Sequence, residues 1–208
     1  MTETPGHDSG TDLHPAALHG SASVVVDVQD GFGDRSWGTP NNPGFEENLH
    51  RLLAAWSRSG RPLVYVRHDS TEPGSPLHPD HPGNRLQRSL SVASPDLVVT
   101  KSVNSGFHGT PDLHAWLTRE ALSGIVVTGI TTNHCCETTA RVGGNLGYDV
   151  RFGLDATYTF DRTGPDGTTL SADDLARATA TNLQGEFATV MSTAELLAAL
   201  EVADVQAP

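Results

Sequence analysis

The sequence predicts a three-layer α/β fold, with one mostly parallel sheet of about six strands between helices on both faces. Three observations carry this. Short β-branched runs alternate with longer segments of helical period along the chain. The first of these runs is continuously apolar rather than alternating, the pattern of a strand buried on both faces. No linker separates two such series, and 208 residues suffice for one sizeable core rather than two.

Each element follows from its own signal. Residues 23–28 form an apolar run interrupted by Asp27, the first strand. After a Gly/Pro/Asn loop, Leu49, Leu52, Leu53 and Trp56 recur at helical spacing, which predicts a helix over 45–59 stopped by Gly60. Strands are predicted over 62–67 and 97–100, a helix over 112–120 and a strand over 124–129. A helix over 133–146, a strand over 148–154, a helix over 171–182, a short strand over 187–191 and a helix over 193–202 complete the series. The alternation makes the fold doubly wound and Rossmann-like. Residues 69–94 are rich in Pro, His, Gly and Ser and have no period, so they read as a long surface excursion of the kind that shapes a pocket or a subunit contact. Residues 1–21 lack an apolar stretch and read as a flexible extension ahead of a single domain over 22–208.

Composition excludes several partners. A net charge of −12 opposes binding to nucleic acid or to an anionic membrane, and no apolar run reaches the length of a bilayer span. The two cysteines, Cys135 and Cys136, are adjacent and cannot staple distant parts of a fold. Free thiols without an export signal point to the cytoplasm.

In an open parallel sheet, ligands gather at the carboxyl ends of the strands, where the chain order reverses. Three reactive side chains fall at such ends: Asp27, Lys101 and Cys135. A thiol at the opening of a helix faces unpaired amides and the positive end of the dipole, which should favour the thiolate. Cys136, one residue on, is turned by about 100° toward the body of the fold and reads as a small core residue. Asp27 would be a buried carboxylate needing a partner, and beside a thiol it could take the thiol proton and return it to a leaving amine. Lys101 would stabilise both. Taken singly, each residue has a commoner use: a core cysteine, a loop-capping aspartate, a solvated lysine.

Together they carry a resemblance. Asp27-Val28-Gln29-Asp30-Gly31-Phe32 resembles the opening motif of the isochorismatase-like cysteine hydrolases, which include nicotinamidases and N-carbamoyl amide hydrolases. Lys101-Ser102-Val103-Asn104-Ser105-Gly106-Phe107-His108-Gly109-Thr110 is similar to the lysine segment of that superfamily. Residues 127–140, with Ile130-Thr131-Thr132-Asn133-His134-Cys135 at their centre, are similar to its nucleophile segment. Gly147-Tyr148-Asp149-Val150 followed by Asp155-Ala156 matches the next strand, and the likeness runs in one order over about 23–197.

The resemblance implies Cys135 as nucleophile, Asp27 as general base and acid, and Lys101 as charge partner. It also implies a cis peptide at Ile130–Thr131, with the Thr131 and Cys135 amides forming an oxyanion hole. The reaction would be attack on a carbonyl, loss of ammonia or an amine, and hydrolysis of a thioester. The substrate would be a small molecule with an amide, ureide or lactam bond, and the family commonly forms dimers or tetramers. Nicotinamidases hold a metal with an Asp-x-His pattern after the second strand. Here that stretch reads Arg67-His68-Asp69-Ser70, so neither a metal nor another cofactor is expected. His68 at a strand end is a candidate substrate contact, and Phe32, Trp37, Phe107 and His108 lie in loops expected to line the pocket. Two other readings remain: a vinyl-ether hydrolase of the isochorismatase type, which needs no thiol, and a catalytically silent binding protein on the same fold.

Overall fold

The computed structural model describes residues 18–205. Its central sheet is built from β1 (Ser21–Val26), β2 (Leu63–His68), β3 (Leu97–Lys101), β4 (Gly124–Ile130), β5 (Asp149–Tyr158) and β8 (Thr189–Met191). The six strands lie side by side in the order β3-β2-β1-β4-β5-β8, and every pairing is parallel. A small antiparallel hairpin, β6 (Arg162–Thr163) with β7 (Thr169–Leu170), stands apart from it. The expected sheet is present, and the hairpin is an addition to it.

Successive residues of a strand point to opposite faces, and here both faces are covered. Val25, Tyr65 and Val126 pack into one core with helix α1 (Phe45–Arg58) and helix α5 (Thr193–Val205). Val24, Val26, Val64, Val66 and Val127 pack into the other with α2 (Leu113–Arg119), α3 (Glu137–Asn145) and α4 (Ala172–Leu183). The apolar stripe read from the sequence of α1 is the buried one: Leu49, Leu52, Leu53 and Trp56 all face the sheet. The Trp56 indole also donates to the Pro62 carbonyl at 2.9 Å, which ties the end of α1 to the entry of β2. Asp112 and Ser171 cap α2 and α4 through backbone amides, so these helices begin just past the residues expected to open them.

Four boundaries differ for physical reasons. The first strand ends at Val26 rather than residue 28, because Asp27 adopts a left-handed backbone with φ 53°. The helix expected over 133–146 opens with a π turn over Thr132–Cys136 before α3 begins. Strand β5 runs on to Tyr158 because a register shift lets it pair with β4 again beyond Gly129. At the amino end, residues 1–17 of the expected extension lie outside the described residues, whereas Leu18 is buried in the core and Ser21 opens β1. The described part of the domain therefore begins earlier than residue 22. No helix among the described residues is long and apolar enough to cross a membrane.

The chain winds outward through β1, β2 and β3, then returns to the far side of β1 with β4. The reversal between β1 and β4 opens a crevice at the carboxyl ends of the strands.

Candidate active site

Four strand ends meet at this crevice. Asp27 follows β1, His68 and Lys101 close β2 and β3 as register partners, and Cys135 lies in the π turn after β4. Gly129 lets β4 reach that turn. Its φ is +122°, and a Cβ there would stand 2.0 Å from the Val26 carbonyl oxygen, so no side chain fits between β4 and β1. The Ile130–Thr131 peptide is cis, and the Thr131 carbonyl accepts from the amides of His134 and Cys136.

The Lys101 ammonium is the centre of the site. It donates to Asp27 Oδ2 at 2.6 Å and to Cys135 Sγ at 3.4 Å, and it meets His68 Nδ1 at 3.1 Å. An ammonium has only donors, so His68 Nδ1 is the acceptor and the ring is neutral. Burial holds the His68 pKa below its ordinary value and the Lys101 charge pushes it the same way, against the smaller pull of Asp27 and Asp69. Burial raises the carboxyl of Asp27, and this outweighs the lowering effect of Lys101. Lys101 is opposed by burial, yet the attraction of Asp27 and Cys135 carries its pKa above the usual lysine value. Asp27 Oδ1 is fully buried and takes no hydrogen bond among the described residues, which leaves one carboxylate oxygen free to accept a proton.

The thiol departs from expectation. Burial pushes Cys135 up to about 12, and the nearby Asp27 carboxylate adds to this against the opposing Lys101 charge. The helix opening does not make a resting thiolate, because a nearly closed site deprives the sulfur anion of water. Cys136 is fully buried in the core, as its position one step round the turn requires.

Asp27, His68 and Cys135 offer ligand atoms within 4.8 Å of one another, a spacing a metal ion could use. The Lys101 ammonium already touches all three, so the positive charge of this cluster is supplied by the chain itself.

The site opens into a cavity of about 130 Å³. Asp27, Phe32, Trp37, His68, Thr131 and Cys135, all candidates from the sequence, line it. Phe107 and His108 do not. The Gly106 amide donates to Thr139 Oγ1 at 3.0 Å, which draws that loop onto α3. Phe107 then stacks on Tyr148 with ring centroids 5.7 Å apart, and His108 is exposed to solvent. Three lining residues escaped the sequence reading: Leu77, Asn104 and His134. Asn104 and His134 sit inside the lysine and nucleophile segments, which was the available signal; Leu77 belongs to the excursion and had none. Larger hollows exist, one of about 570 Å³ beside α4 and β8, but no cysteine, lysine or histidine lines it.

Comparison with known proteins shows what the whole chain is similar to. The chain is 36% identical over 176 residues to the isochorismatase family protein YrdC of Bacillus subtilis, covering 85% of this chain and 94% of that one. It is 29% identical over 177 residues to the ureidoacrylate amidohydrolase RutB of Cronobacter sakazakii, covering 66% and 74%. Among solved structures, a hydrolase of the isochorismatase family from Chromobacterium violaceum superposes with a TM-score of 0.82 at 36% identity, over 88% of this chain and 94% of that one. A cysteine hydrolase from Pseudomonas syringae superposes with a TM-score of 0.79 at 28% identity, over 92% and 95%. The isochorismatase domain model matches residues 21–195, and the chain belongs to the isochorismatase family.

Proposed function

We propose that this protein is a cysteine hydrolase that cleaves a carbon–nitrogen bond of a small amide, ureide or lactam. The observation that carries the reading is the meeting of Asp27, Lys101 and Cys135 at one ammonium, beside a cavity. The names of two relatives, a cysteine hydrolase and a ureidoacrylate amidohydrolase, support it.

The resting proton sits on sulfur. As a carbonyl carbon approaches, Cys135 gives that proton to Asp27, whose raised pKa suits it to hold one, and the sulfur bonds to the carbon. The Thr131 and Cys135 amides are the donors assigned to the oxyanion. Collapse of the tetrahedral adduct breaks the carbon–nitrogen bond, and Asp27 returns the proton to the departing amine. Water then cleaves the thioester, passing one proton to Asp27 and from there to sulfur. Lys101 keeps its charge throughout and offsets the negative charge on Asp27 at rest and on the sulfur as its proton leaves, before bonding passes that charge to the carbonyl oxygen. A vinyl-ether cleavage has no step for Cys135, so the buried thiol at the cavity favours the amide reading.

The test is ammonia release from a panel of primary amides, N-carbamoyl compounds and lactams. Cys135→Ser is expected to lose at least about 1,000-fold in kcat, and intact-mass measurement during turnover should find an acyl group on Cys135. Turnover that survives Cys135→Ser would overturn the reading. Alkylation at neutral pH is a poor substitute, since the unliganded thiol is protonated and slow to react.

A further inference from the structure

The walls of the cavity narrow the substrate further. This inference rests on the cysteine-hydrolase reading and concerns the same site. One wall is aromatic. Phe32 and Trp37 pack with ring centroids 5.1 Å apart, and Phe160 stacks behind Trp37 at 5.6 Å and 26°. The Trp37 indole is fixed by a 3.1 Å hydrogen bond to the Gly31 carbonyl, so its ring is a rigid panel. Other lining groups are polar. Asn104 Oδ1 stands 3.9 Å from Cys135 Sγ, and His68 and His134 also line the cavity. Burial holds both histidines toward the neutral form.

The charges of the site are already committed. An ammonium has three N–H donors. Those of Lys101 meet Asp27, His68 and Cys135, leaving none for a substrate carboxylate. No arginine is found among the described residues of the cavity wall. A substrate carboxylate would lose its hydration, face Asp27, and gain no cation in return. Arg162, outside the cavity wall and exposed on the β6–β7 hairpin, is close enough to influence His134. The volume sets the scale: about 130 Å³ lies well below the several hundred that drug-sized ligands occupy.

We propose that the cavity takes a small, flat, uncharged carboxamide or urea and rejects its anionic analogues, with Trp37 stacking on the flat face and Asn104 bonding the polar group beside the sulfur.

Fumaramide and fumaramate test this, because they match closely in shape and a carboxylate replaces one carboxamide; succinamide and succinamate form a flexible second pair. The expected result is a kcat/KM for fumaramide at least about 100-fold above that for fumaramate. Trp37→Ala should raise KM for fumaramide several-fold with kcat little changed, and Trp37→Phe should restore much of it. Arg162→Gln should leave the ratio between the pair unchanged. Binding of both compounds to Cys135→Ala protein, measured by calorimetry, decides the matter if neither is turned over. Fumaramate handled as well as fumaramide, or neither compound bound, overturns the inference. A ratio that collapses only in Arg162→Gln overturns it too, because selection would then lie at the hairpin. Turnover of anionic amides that needs Cys135 would sink this inference while leaving the hydrolase reading intact. Tight fumaramide binding with no turnover of any amide would do the reverse.

Discussion

Asp27 is asked to do two things that conflict. It must hold the Lys101 ammonium in a site with no water, and it must accept a proton from sulfur. Burial resolves the conflict by raising its pKa while Oδ2 stays bonded to Lys101 and Oδ1 remains open. Asp27→Asn keeps the shape and removes the charge. Turnover should fall by at least about 1,000-fold, and urea denaturation should show a loss of about 3–5 kcal/mol, because Lys101 would be left buried without its counter-charge. His68 makes a separate prediction about pH. Its folded pKa lies below the ordinary histidine value of 6.5, so the unfolded chain takes up the proton first. Stability from this group is complete above 6.5 and is lost as pH falls through the folded value. His68→Asn, which keeps an acceptor for Lys101, should therefore lose less stability than the parent as pH falls below 6.5. Equal slopes in the two proteins would refute this. At this scale the reactive side chains were legible, since a carboxylate, an ammonium and a thiol at strand ends stand out from apolar neighbours. The protonation state of the thiol was not. It depends on how much water the folded site admits, and burial there outweighs the helix opening.

At the scale of the element, strand-to-helix junctions do the positioning. Strand β4 delivers Cys135 because Gly129 lets its backbone press against Val26, with no room for even one methyl group. Gly129→Ala should cost more than about 3 kcal/mol, visible as a lowered denaturation midpoint or as loss of soluble protein. A midpoint within experimental error of the parent would show that β4 can move away from β1. The strands and helices were largely legible because periodicity reports burial directly, and in this sheet both faces are buried. The junctions were less so. The π turn at Thr132–Cys136 and the register shift in β5 arise from pairing with distant segments, which local propensity does not encode. Phe107 illustrates the same limit. Its loop reads as a pocket wall, yet a hydrogen bond from Gly106 to Thr139 ties it to α3, and Phe107 does not line the cavity.

For the whole molecule, the excursion over 69–94 has the largest consequence. It lines the cavity with Leu77, carries two short 3-10 turns at Pro82–Asn84 and Arg88–Val92, and is held by buried polar anchors. Asn84 donates to the carbonyls of His68 and Leu77 at 3.1 and 2.8 Å and to Asp69 Oδ1 at 3.0 Å. Gln29 accepts from the His68 amide at 2.8 Å and donates to the carbonyls of His68 and Asn84 at 3.0 and 2.8 Å. At the far end, Tyr65 donates to the carbonyls of Leu90 and Ala93, both at 2.9 Å. Asn84→Ala should cost about 1–3 kcal/mol and raise KM more than it lowers kcat, since it loosens Leu77 and His68 while leaving sulfur, Asp27 and Lys101 in place. An unchanged KM would mean that the excursion is held without it.

The sequence by itself determined the order of most strands and helices and the placing of a carboxylate, an ammonium and a thiol at strand ends, because burial pattern and side-chain chemistry are written in the order of residues. Only the tertiary structure decided which loops face the cavity, how the Lys101 donors are shared and whether the sulfur holds its proton. Those properties arise from contacts between segments far apart in the chain and from the water such contacts exclude, as in the 74-residue separation of Lys101 from Asp27 and the 34-residue separation of Lys101 from Cys135.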